Sequence, residues 1–195
     1  MELSPLARER LAKIGALSEE ERERLKQSND LDSLLSEYFS GALDTDGLWK
    51  RLKGLKQQRG ESIPREVQSR LVDTLRLRMG QEDFEQRRDA ILAIETMKAE
   101  GKYGTLEVAL DSIEAVRQKY LQVKQQAYEQ LKAGLQSQLQ AAAQQAKAQG
   151  MKIDMGGSLD ANARNSPQWK DFVSQHEESS EEMFDSYIGR LRDAI

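Results

Sequence analysis

Residues Thr105 to Gly150, TLEVALDSIEAVRQKYLQVKQQAYEQLKAGLQSQLQAAAQQAKAQG, constrain this chain more than any other stretch. The run holds no proline, and its one internal glycine is Gly134. Apolar residues recur at Leu106, Leu110, Ile113, Val116, Tyr120, Val123, Ala127, Leu131, Leu135, Leu139, Ala142 and Ala146. Every step is three or four residues, which marks one face of an α-helix. Such a helix is roughly 65 Å long at about 1.5 Å per residue. A globule of this chain length is little more than half that across, so the helix must project or pair with another long helix.

The pitch of the apolar face narrows the choice. Its steps average about 3.64 residues, close to the 3.6 of a straight helix and away from the 3.5 of a left-handed heptad coil. Strict heptad positions counted from Leu106 also meet Arg117 and Lys124. Both points disfavour a long two-stranded coiled coil and favour an antiparallel pair or small bundle. The neighbouring segments, Asp83 to Glu100 and Pro167 to Ile195, are the expected partners, covering the apolar face at both ends. The far end, Gln136 to Gln149, is weakly apolar and the least able to find cover.

The rest of the chain reads as shorter helices with clear punctuation. Ser4-Pro5 and Ser166-Pro167 are start signals, a capping serine followed by proline at the first helical position. Ser18 with Glu21 has the form of a capping box. The helix after Ser18 is expected to break near Ser28-Asn29-Asp30 and resume with Leu31, Leu34, Leu35, Tyr38 and Phe39 as far as Gly41. Asp44 caps a helix burying Leu48, Leu52 and Leu55, with Trp49 added. Ser62 opens one that reaches Met79, and Asp83 caps one that reaches Glu100. Residues 150–166 contain two adjacent glycines and no helical period, so a loop or short ordered excursion is expected. The last helix has Trp169, Phe172, Val173, Met183, Phe184, Tyr187, Ile188 and Leu191 on its inner face. Its polar middle, His176 to Glu182, is expected to face water.

These elements predict an all-α fold: a small N-terminal helical domain over 1–80, then an elongated bundle over 81–195. That second part is a long helical hairpin or three-helix bundle around one very long helix, 105–149. Composition agrees. Of the 195 residues, 38% are hydrophobic and 32% charged, which suits thin helices that bury one stripe each. There are 0 cysteines, which removes disulfides and thiolate chemistry and fits a cytoplasmic setting. No run of about 18 apolar residues exists to span a membrane.

Little in the chain suggests catalysis. A ferritin-like di-iron site needs two Glu-x-x-His units, and the chain has 1 histidine, His176. His176 with Glu177 and Glu181 reads as a solvated helix face. Asp44-Thr45-Asp46-Gly47 opens like a calcium loop, but Leu48 and the lack of a spaced closing glutamate make it a capped turn. There is no nucleophile elbow, no phosphate-binding glycine loop and no fingerprint for a dinucleotide. The expectation is a non-enzyme with no metal and no cofactor.

Two binding signals remain. Residues 48–79 carry 9 Lys+Arg against 3 Asp+Glu, a net of +6, while residues 1–47 carry 6 against 11, a net of −5. Lys50, Arg51, Lys53, Lys56 and Arg59 would therefore be the contacts of a nucleic-acid-binding regulator. The alternative is an ordinary solvated face, or a surface that pairs with the acidic first segment Glu19-Glu20-Glu21. The favoured expectation is a helical adaptor or assembly factor. It buries Leu135, Leu139, Ala142 and Ala146 against a protein partner or a second copy.

Overall fold

The computed structural model describes residues 18–149 and 159–195. All regular structure among them is helical, as expected: α1 (Glu19–Phe39), α2 (Thr45–Arg59), α3 (Ile63–Asp73), α4 (Gln81–Glu95), α5 (Tyr103–Ala148), α6 (Leu159–Asn165) and α7 (Pro167–Ala194). The helix expected after Ser4 lies outside the described residues. The chain forms two compact units, divided between Gln68 and Ser69, within α3.

In the first unit, Ser18 and Glu21 make the capping box. The Glu21 amide donates to Ser18 Oγ at 3.2 Å, and the Ser18 amide donates to Glu21 Oε2 at 2.8 Å. The expected break at Ser28-Asn29-Asp30 is absent, and α1 is continuous for 21 residues. Those three residues are weak helix formers, but each costs only a few tenths of a kcal/mol. Continuity lets Leu31, Leu34, Leu35 and Tyr38 bury together, at 0 to 5% exposure. Gly41, at φ 75°, takes the left-handed conformation that ends the helix.

Asp44 caps α2, accepting from the Gly47 amide at 2.8 Å. Leu48 and Leu52 are buried, and Trp49 is half-buried. Helices α1 and α2 run antiparallel, joined by Arg59 with Asp30 and Arg51 with Glu37, both at 2.6 Å.

In the second unit, α3 ends at Asp73 and does not reach Met79. Thr74 Oγ1 donates to the Leu71 carbonyl at 2.7 Å, and Arg76 Nη1 donates to the carbonyls of Asp73 and Leu75 at 2.7 and 2.6 Å. These bonds satisfy the terminal carbonyls and release the chain into a turn. Leu75 and Leu77 stay buried, at 2% and 1% exposure, without a helix to present them.

Helix α4 begins two residues before Asp83. Gly80 is its N-cap, with no side-chain cap. It stops at Glu95, five residues short of Glu100. Thr96 Oγ1 donates to the Ala93 carbonyl at 2.6 Å there, and the Met97 amide donates to the Ile94 carbonyl at 3.0 Å. Tight turns replace the last helical turn.

Helix α5 starts at Tyr103 and runs for 46 residues. Helix α4 lies antiparallel to its first turns, with Arg88 on Asp111 and Gln81 on Glu114, each at 2.7 Å. Helix α7 is also antiparallel to α5. Contacts run from Lys102 Nζ on the Ala194 carbonyl, at 3.4 Å, to Tyr128 against Trp169, with ring centroids 5.1 Å apart. Ser166 caps α7 as expected, accepting from the Trp169 amide at 3.2 Å. Within 150–166, expected as a loop or short ordered excursion, residues Leu159–Asn165 form α6, which sets Asp160 beside Tyr128 and Lys132. Helices α4 and α7 thus share the first two thirds of α5 and do not divide its two ends between them.

Candidate interaction surface

The inner face of α5 changes character along its length. Leu106, Leu110, Ile113, Arg117 and Tyr120 are buried at 0 to 1% exposure. Lys124, Leu131 and Leu135 are half-buried. Beyond them Leu139 is 40% exposed and Ala142 is exposed, while Ala146 is buried at 8%. The four residues expected to bind a partner therefore divide: Leu139 and Ala142 are free, Leu135 partly so, and Ala146 covered.

The buried line passes through Arg117 and Lys124, where the apolar pattern pointed to Val116 and Val123. Both valines are half-buried. Arg117 is 1% exposed. Its guanidinium donates to the carbonyls of Met79 and Gly80 and lies over the Phe84 ring, 4.2 Å from the centroid. Burial lowers its pKa, and Glu114 opposes that shift. A long cation can take an apolar position when its stem packs and its head finds carbonyls and a ring face.

Lys124 takes part in a small network. Tyr120 Oη donates to Glu177 Oε1 at 2.7 Å, and Lys124 Nζ donates to Tyr120 Oη at 2.9 Å and to Glu177 Oε1 at 3.0 Å. Arg78 reaches the other carboxylate oxygen of Glu177 at 3.4 Å. The bond from Tyr120 is the main cause of the lowered Glu177 pKa, which burial resists and Lys124 supports. For Lys124 burial acts downward, but its bonds to Tyr120 and Glu177 outweigh it and raise the pKa. Burial raises that of Tyr120.

The polar middle of α7 is therefore not wholly turned to water. His176 Nε2 is 3.1 Å from the Tyr120 carbonyl, and its ring stacks between Tyr120 and Phe172, at 5.2 and 5.4 Å. Trp169 continues the ladder, stacked on Phe172 at 5.7 Å. Trp169 lines two open grooves, one of about 550 Å³ shared with Tyr128 and Arg164, the other of about 390 Å³ shared with Leu131 and Phe172. Periodicity alone could not find this ladder, because His176 opens the polar run His176 to Glu182, which reads as surface. The one available signal was Trp169, Phe172 and His176 at helical spacing.

The basic residues of α2 are placed within their own unit. Arg51 pairs with Glu37, Arg59 with Asp30, and Lys56 with Glu61 at 2.7 Å. Lys53 Nζ lies 4.9 Å above the Trp49 ring. Lys50 is exposed. The acidic partners are Asp30, Glu37 and Glu61, not the expected Glu19-Glu20-Glu21.

Among the described residues no group of three or more His, Asp or Glu side chains is placed to hold a metal ion. No helix among them is long and apolar enough to cross a membrane. No curated protein and no solved structure matches the chain. Residues 49–195, from α2 through the whole α5–α7 pair, match the model of a family of unknown function, DUF6657, and the chain belongs to that family.

Proposed function

We propose that the protein is a helical adaptor or assembly factor that acts without catalysis, through the last third of α5. The observation that carries this reading is the fall in cover along one continuous helix face. Leu106 to Tyr120 are buried within the chain, whereas Leu139 and Ala142 on the same face are exposed. A helix that continues past its internal partners with its apolar spacing intact is suited to lie against another helix. The absence of cysteine suits work in the cytoplasm. The nucleic-acid reading has less support, because Arg51, Lys56 and Arg59 already have carboxylate partners.

Site-specific photo-cross-linking in the protein's own cells tests the reading. A photoreactive residue in place of Leu139 should trap an adduct of discrete mass. The same residue in place of Ser137, which is exposed and lies on the opposite side of α5, should not. Equal labelling from both positions, or none from Leu139, would overturn the proposal.

A further inference from the structure

We propose that the occupant of this face is a second copy of the chain, lying antiparallel across residues 131–146 of α5. This inference rests on the functional reading above and makes it specific. Residues 133–149 hold a single charge, Lys147, in a chain of which 32% is charged. They also hold 6 glutamines and 6 alanines. A partner recognised by charge would find almost nothing to pair with. Glutamine carries both donor and acceptor, so a glutamine-rich face complements itself, and alanine lets two helix backbones approach closely.

A two-fold contact needs a face that matches its own reverse. Turned end for end about a point between Gln138 and Leu139, this face sets Leu135 opposite Ala142 and Leu131 opposite Ala146, large against small. The two Leu139 side chains meet at the centre. Leu131 is half-buried and Ala146 buried within the chain, so the freely available part is Leu135, Leu139 and Ala142. The flanking charges choose the direction. Antiparallel pairing brings Glu129 of each chain within one position of Lys147 on the facing helix, on the same flank. Parallel pairing would set the two Glu129 at one level and the two Lys147 at another, so that neither meets an opposite charge. Sixteen residues of helix span about 24 Å, short for a permanent dimer interface, so the association is reversible and depends on concentration.

The lack of native cysteine makes the test clean, since an introduced thiol is the only one. In the antiparallel register, residue 135 of one chain lies about 10 Å along the axis from residue 135 of the other, beyond disulfide reach. Chains carrying Leu135→Cys alone, or Ala142→Cys alone, should therefore stay unlinked under mild oxidation. An equimolar mixture of the two should give a disulfide-linked heterodimer. Leu139→Glu, at an exposed position, should raise the dimer dissociation constant at least tenfold by light scattering while leaving the helical circular dichroism signal unchanged. Homodimer disulfides from each single variant would overturn the antiparallel register. A monomer at all concentrations, with no linked product from the mixture, would overturn the second copy. In that last case a discrete adduct at residue 139 in cells would leave the broader adaptor reading standing, and no adduct would remove both.

Discussion

Arg117 and Glu95 are the two fully buried charged side chains among the described residues of the second unit. A guanidinium at 1% exposure is costly to desolvate, and here two carbonyls on Nη2 and a ring face offset part of that cost, while Nε and Nη1 find no hydrogen-bond partner among the described residues. Removing the head and stem together leaves a hole and frees both carbonyls, so Arg117→Ala should cost about 3 kcal/mol. Arg117→Met keeps the stem volume without the charge and should cost clearly less, since apolar replacements of buried ions are often near neutral. Urea unfolding of both variants checks the order. If Met costs as much as Ala, the carbonyl bonds matter more than the packing. The network at Glu177 makes a different prediction, about pH. Its folded pKa lies below the ordinary carboxylate value, so its stabilisation is present above that value and fades as pH falls through the lowered one. The stability gap between the native chain and Glu177→Gln should be about 1–2 kcal/mol and flat from about pH 6 to 8, and should close below about pH 4. Denaturant titrations across that range measure it. A gap that survives at low pH would place the effect in shape and not in charge.

Helix ends show what the residue pattern conveys and what it omits. The start signals at Ser18, Asp44 and Ser166 all act as read, because a cap is a local bond between neighbours in sequence. The stops at Asp73 and Glu95 were not readable, because they depend on partners from elsewhere. Thr74, which ends α3, also accepts from Arg87 Nε on α4 at 3.1 Å. Glu95, at 1% exposure, closes the joint between α4 and α5 by pairing with Lys98 at 2.8 Å and accepting from the Lys102 amide at 2.7 Å. In the sequence it is one glutamate among many. The same holds for the candidate surface. Leu135 and Leu139 were visible by spacing, whereas the burial of Arg117 and the stacking of His176 arise only when α4 and α7 are laid against α5. Because Glu95 is the acceptor at the start of α5, Glu95→Ala should cost about 2–3 kcal/mol and Glu95→Gln less, since the amide oxygen can still accept from Lys102. Hydrogen exchange should show the loss of protection concentrated in residues 96–106. Uniform loss along α5 would argue against a local joint.

The charge pattern of the whole chain, −5 over residues 1–47 and +6 over residues 48–79, suggested a surface for phosphate. In the first unit part of that imbalance is consumed internally, since the arginines of α2 lie on the carboxylates of α1. A cation already held at 2.6 Å by a carboxylate must lose that partner before it can release counterions from a duplex. Binding to a short DNA duplex should therefore be weaker than about 10⁻⁴ M at physiological salt. A charge exchange separates the two roles of Arg59. Reversing Arg59→Asp alone places like charges together and should lower the stability of the first unit. Adding Asp30→Arg restores an opposite pair in the reverse sense and should recover most of the loss. Phosphate binding through Arg59 would respond otherwise: it would fall in the single variant and would not follow the return of stability in the double one. Thermal unfolding and a labelled-duplex titration on the same three proteins read the two quantities side by side. Tight, salt-sensitive binding by the native chain, lost on Arg59→Asp and unrestored by the exchange, would move the working surface from α5 to α2.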